Sequence, residues 1–94
     1  MKHYIIVKWN QLVRNKDEAA NRAEEVFSSV VDISGITKVE VIKNVVDRPN
    51  RYDLMIVITM TPDALPAYDA SEQHVRWKAD FGALIEAKTI FDAE

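Results

Sequence analysis

The chain of 94 residues contains two histidines, three tyrosines and no cysteine, so proton transfer near neutral pH falls to imidazole. His74 follows Tyr68 by six residues. A neutral imidazole, with a reference pKa of about 6.5, is able to take a proton from a carbon lying between two carbonyls, a step worth ~10² to 10⁴ in rate. Tyr68 would then position that histidine or donate to the developing enolate oxygen. On an unbroken helix, six residues turn through about 600°, or roughly 240° around the axis, which points the two side chains apart. Only a kink near Ala70-Ser71 turns both inward. The competing reading makes Tyr68 a core aromatic with its hydroxyl at the surface and His74 a solvated first-turn residue.

His3 shares a strand face with Ile5, Val7 and Trp9, which places it either at the rim of a pocket or in the sheet packing. The plainer reading is a satisfied structural histidine. Trp9 and Trp77 are expected as core or cavity wall, because indole rings fill volume and need one polar partner; Phe81 lies on the same helical side as His74 and Trp77. Two histidines far apart and no cysteine give no transition-metal signature, and no loop has the acidic spacing of a hard-cation site. Two glycines, Gly35 and Gly82, cannot build a phosphate-cradling loop, and neither G-x-S-x-G nor H-E-x-x-H occurs. No metal and no cofactor are expected.

These residues sit on elements that the pattern resolves. Lys2 to Trp9 alternates as a strand with little polar face. Asn15 is an N-cap, with Glu18 three residues on, for a helix whose apolar positions Ala19, Ala23, Val26, Phe27 and Val30 recur at three and four. Ser34-Gly35 stops it. Ile36 to Val46 is a second strand, Asp47-Arg48-Pro49-Asn50 a turn, and Tyr52 to Thr61 a third strand with both faces buried. Thr61 caps a short helix with Pro62 in its first turn, and Ser71 caps a second running from Glu72 to Leu84. Ile85 to Asp92 closes as a strand. The charge clusters Asn15-Lys16-Asp17-Glu18 and Arg48 to Arg51 read as a capped helix start and a solvated turn.

The order is therefore βαββαβ, an α+β chain of one domain over residues 1–94 with a four-stranded antiparallel sheet of ferredoxin-like topology. Its helices cover only one sheet face. Strands one and three are apolar on both faces, so the uncovered one predicts a symmetric homodimer with sheets packed together. Twelve Lys plus Arg against 15 Asp plus Glu leave a net charge of −3, which offers no long-range pull on nucleic acid or an anionic membrane. The apolar run Tyr4-Ile5-Ile6-Val7 is far shorter than the roughly 20 residues of a membrane span, and a cytoplasmic protein is expected.

Lys2-His3-Tyr4-Ile5-Ile6-Val7-Lys8-Trp9, Arg51-Tyr52-Asp53-Leu54-Met55-Ile56-Val57-Ile58, Leu65-Pro66-Ala67-Tyr68 with His74 beyond it, and Ile90-Phe91-Asp92 together resemble the stress-responsive A/B barrel family of the dimeric α+β barrel superfamily. The resemblance runs over essentially the whole chain. It implies the same dimer, with a cavity between sheet and helices in each subunit. It also implies the chemistry of the family's plant polyketide cyclases, which close a ring by intramolecular aldol condensation without a cofactor. Their pocket holds a strand-one histidine, a tyrosine and a histidine six residues later, matched here by His3, Tyr68 and His74. The family's usual segment is tyrosine, two residues, histidine, proline, one residue, histidine; here Ser71 and Glu72 replace the inner pair. A pocket tyrosine of the first helix has no counterpart in Glu25-Val26-Phe27.

The leading expectation is a dimeric barrel that binds an apolar or aromatic carbonyl compound, with His74 and Tyr68 catalytic and His3, Trp9, Trp77 and Phe81 lining the pocket. A non-enzymatic, stress-related binding or structural dimer is one alternative. A cofactor-independent small monooxygenase using Trp9, Asn10, Trp77 and His74 is the other.

Overall fold

A computed structural model describes residues 1–94. Four strands form one antiparallel sheet in the order β2-β3-β1-β4: β1 is Lys2–Trp9, β2 Ile36–Lys43, β3 Leu54–Met60 and β4 Ile85–Ala93. This is the ferredoxin-like arrangement expected from the sequence. Helix α1 (Lys16–Phe27) crosses from β1 to β2, while the short α2 (Leu65–Asp69) and α3 (Glu72–Phe81) lie between β3 and β4.

Local chemistry sets the boundaries. Asn15 caps α1 by accepting from the Glu18 N–H. The helix tightens into a 3₁₀ turn, Ser28–Asp32, one turn earlier than the apolar spacing predicts. There Ser28 Oγ bonds back to the Glu25 carbonyl at 3.1 Å, and serine and β-branched residues favour that exit over continued α-helix. β2 likewise stops at Lys43, short of Val46. The Asn44 side chain bonds both the carbonyl and the N–H of Val46 at 2.6 and 3.3 Å, drawing the chain out of the ladder. Thr61, expected to cap through its hydroxyl, makes no such bond; its N–H donates to the Gly35 carbonyl at 2.8 Å. Gly35 is held at φ +92, and a Cβ there would meet Thr61 Oγ1 at 2.6 Å and Ala64 Cβ at 2.9 Å. Only glycine fits both constraints.

The core lies between the helices and one sheet face, where Ile5, Val7, Ile56 and Ile58 meet Ala23, Phe27, Trp77 and Phe81. Residues paired across the sheet share a face. The opposite face therefore presents Tyr4, Ile6, Ile42, Met55, Val57 and Phe91, with Phe91 61% exposed against the Tyr4 ring. No helix covers this surface.

Candidate active site

The alternation of β1 turns His3 toward the helices, where it is buried. Antiparallel register sets Asp92 of β4 directly opposite, and His3 Nδ1 lies 2.5 Å from Asp92 Oδ1. A carboxylate oxygen accepts, so the imidazole donates. The His3 ring centroid is 5.5 Å from that of Tyr68, which is 5.0 Å from that of His74. The three aromatic side chains thus form a row, and all line one cavity of about 260 Å³.

The break between α2 and α3 makes this row. Ala70 ends α2 and Ser71, at ψ 156, starts α3 in extended geometry, which supplies the kink that convergence of Tyr68 and His74 requires. Ser71 Oγ accepts from the His74 N–H at 3.1 Å and donates to the Tyr68 carbonyl at 2.6 Å. One hydroxyl therefore caps the new helix and satisfies the end of the old one. A second terminal carbonyl of α2, that of Asp69, is met by His74 Nδ1 at 2.8 Å. A carbonyl only accepts, so Nδ1 carries the proton, and Nε2 of the neutral ring is left with its lone pair.

Tyr68 is 1% exposed. Its hydroxyl is a buried polar atom with no hydrogen-bond partner, an exception in a folded chain, where such groups are almost always paired. Burial pushes the phenol well above its ordinary value of 10.0, and the charge of Asp69 adds to the rise. The hydroxyl is thus a fixed neutral donor at any physiological pH. Apolar walls come from Ile5, Leu65, Trp77 and Ile90, with Asp69, Lys88 and Asp92 as further polar lining.

Two expected wall residues are elsewhere. Trp9 and Phe81 do not line this cavity: Phe81 stacks on Trp77 at 4.7 Å, and Trp9 packs against both rings. They fix the indole that forms the wall. Asn10 is also remote, its side chain bonding the Ala83 carbonyl and the Leu12 N–H, so the four residues of the monooxygenase reading do not assemble. Sequence reasoning gave Asp69, Lys88 and Asp92 no role in the site. Alternation along β4 puts Asp92 on the face of Ile90 and Lys88, but its partner His3 is 89 residues away and the register is unreadable before the sheet exists.

The sequence profile of the stress-responsive A/B barrel domain matches residues 1–94. The chain belongs to the stress-responsive A/B barrel family. Among curated proteins no relative of this family member is found. Solved structures share its fold. A dimeric, ferredoxin-like protein of unknown function from Bacteroides fragilis is 22% identical, with a TM-score of 0.80 over 99% of this chain and 93% of its own. A stress-responsive A/B barrel protein from Mesorhizobium loti is 14% identical, with a TM-score of 0.74 over 99% and 93%. The hydroxynitrile lyase of Passiflora edulis is 9% identical, with a TM-score of 0.70 over 96% and 87%. No helix of this A/B barrel chain is long and apolar enough to cross a membrane.

Proposed function

We propose that this chain forms a homodimer through its open sheet face, and that the pocket of each subunit binds a small apolar or aromatic carbonyl compound and performs cofactor-free acid/base chemistry on it. The observation that carries this reading is the buried, unpartnered Tyr68 hydroxyl beside His74. A structure retains an unpaired buried donor at a cost of about 1–3 kcal/mol, and a ligand oxygen that completes the bond recovers it. His74 Nε2 is the base, Tyr68 steadies the enolate or alkoxide oxygen, and the pairing with Asp92 fixes the His3 end of the row. A volume of about 260 Å³ falls just below the ~300–1,000 Å³ of drug-sized pockets, so a single-ring compound suits it better than an extended polyketide chain. The dimeric neighbours support the assembly, and the Passiflora edulis lyase supports an enzymatic use of this fold.

The test is turnover of small aryl ketones and aldehydes in aldol addition and its reverse, by the native chain and by His74→Ala. Loss of roughly 10²- to 10⁴-fold is expected, with the dimer unchanged by light scattering. Full activity in the variant overturns the assignment of the base. Saturable binding of these compounds without turnover by the native chain would favour the non-enzymatic dimer instead.

A further inference from the structure

We infer that a second cavity, at the Trp9 end of β1 and away from His3, binds a soluble phosphate-bearing small molecule. This cavity measures about 700 Å³, well within the range of small-molecule sites. It lies between the β1–α1 connection and the segment joining β2 to β3, and Trp9 contributes to its wall.

Its charge is the reason for the inference. Lys8, Arg14, Lys16, Lys43, Arg48 and Arg51 line it, half of the 12 cations of a chain whose net charge is −3. Three carboxylates share the lining: Asp17, Asp47 and Asp53. Two of these are already neutralised, Asp53 by Lys16 at 2.9 Å and Asp17 by Lys43 at 3.5 Å. The other four cations have no carboxylate partner. Lys8 donates to the Pro49 carbonyl and Arg51 to Asn50 Oδ1, both uncharged acceptors, while Arg14 and Arg48 form no ion pair. Against these four stands only Asp47, so the cavity has an excess of positive charge that a dianion balances better than a monoanion.

The site is also built. Asp53 Oδ2 accepts from the Trp9 N–H and Oδ1 from Lys16, while its backbone bonds Val7 and Asn44. One residue therefore ties β1, the end of β2 and the start of α1 together. Lys8 anchors the β2–β3 segment through Pro49 at 2.9 Å. The positive end of the 12-residue α1 opens on the same space through Asn15, Lys16 and Asp17, which adds to its attraction for an anion. Guanidinium forks match phosphate oxygens two at a time. A concave site favours a small molecule over a flat macromolecular surface, and the acidic remainder of the chain opposes a polyanion.

Calorimetric titration of the full chain with phenyl phosphate, with phenol as the uncharged control, tests this. One salt-sensitive saturable site per chain is expected for phenyl phosphate, whereas phenol, which can enter only the His74 pocket, shows no salt-sensitive site. The double variant Arg14→Ala/Arg48→Ala should lose roughly ten-fold or more in affinity, the scale of one or two charge-assisted hydrogen bonds. Asp47→Asn should bind more tightly, and Lys38→Ala, paired with Glu40 on β2, should bind as the native chain does. All four replaced side chains are exposed, so folding is retained and is checked by melting. No saturable binding by the native chain, or equal affinity in the double variant, overturns the inference. Attachment to phosphatidic acid vesicles without binding of phenyl phosphate would overturn it too, assigning the charge to a lipid surface. His74 chemistry is read separately, so neither failure implies the other.

Discussion

Replacing Tyr68 by phenylalanine should make the protein more stable and less competent at the same time. The ring keeps its contacts with His3 and His74 at 5.5 and 5.0 Å, so packing is preserved. What is removed is a hydroxyl with no partner. An unsatisfied buried polar group costs about 1–3 kcal/mol, and because the variant leaves the volume of the lost oxygen empty, the gain should sit near the lower figure, about 1 kcal/mol. For a domain of this size that raises Tm by about 4–8 °C. Thermal denaturation followed by circular dichroism, at matched protein concentration because the proposed dimer would make Tm concentration-dependent, reads the gain. Titration with an aryl ketone reads the loss, a several-fold to about ten-fold fall in affinity for one neutral hydrogen bond. A structural tyrosine with a satisfied hydroxyl would behave oppositely, losing about 0.5–1.5 kcal/mol of stability with binding untouched. A lower Tm, or unchanged affinity, refutes the reasoning.

The remaining predictions concern the frame. Gly35→Ala should cost ~1–3 kcal/mol through positive φ and the approach to Thr61 and Ala64; an unchanged melting curve would show that Thr61 moves aside freely. Alkaline pH should destabilise the fold through two groups of the same sign. Tyr68 is raised above 10.0 by burial first and Asp69 second, and Lys16 above 10.5 chiefly by its hydrogen bond to Asp53. A group raised in the folded state contributes stability that is fully present below its unfolded value and lost as pH climbs past it. The decline begins near pH 10, mostly from buried Tyr68, since Lys16 is exposed and screened. Appearance of the phenolate absorbance of all three tyrosines before unfolding begins would contradict this.

Periodicity carried most of the architecture, because alternation and helical spacing report burial directly. β1 runs from Lys2 to Trp9 as its alternation implies, and the caps at Asn15 and Ser71 are where the side-chain types put them. Boundaries failed where a side chain competes with the ladder or helix, at Asn44 and Ser28. Site geometry was legible only where it is local. Tyr68 and His74 lie within one short segment, so their convergence reduces to whether the chain kinks at Ser71. His3 and Asp92 are joined by strand register, a tertiary property. The wheel that grouped His74, Trp77 and Phe81 on one side was right about direction and silent about depth, since Phe81 lies a full turn further along and meets Trp77 rather than the cavity.

Ser71 and Glu72 stand where the family's usual segment has a histidine and a proline, a difference that on sequence alone weakens the site. The geometry gives the substitution a different meaning. What Tyr68 and His74 require between them is a helix end and a new helix start. Serine supplies both through one hydroxyl, accepting from the His74 N–H and donating to the Tyr68 carbonyl. Glu72 then places a carboxylate in the first turn of α3, where the helix dipole favours it. The second bond of the kink, from His74 Nδ1 to the Asp69 carbonyl, also selects the tautomer that leaves Nε2 free. Positioning of His74 therefore rests on the backbone ends of two helices and not on the missing pair. The chain can depart from its family at those two positions and still present the same tyrosine and histidine to one pocket.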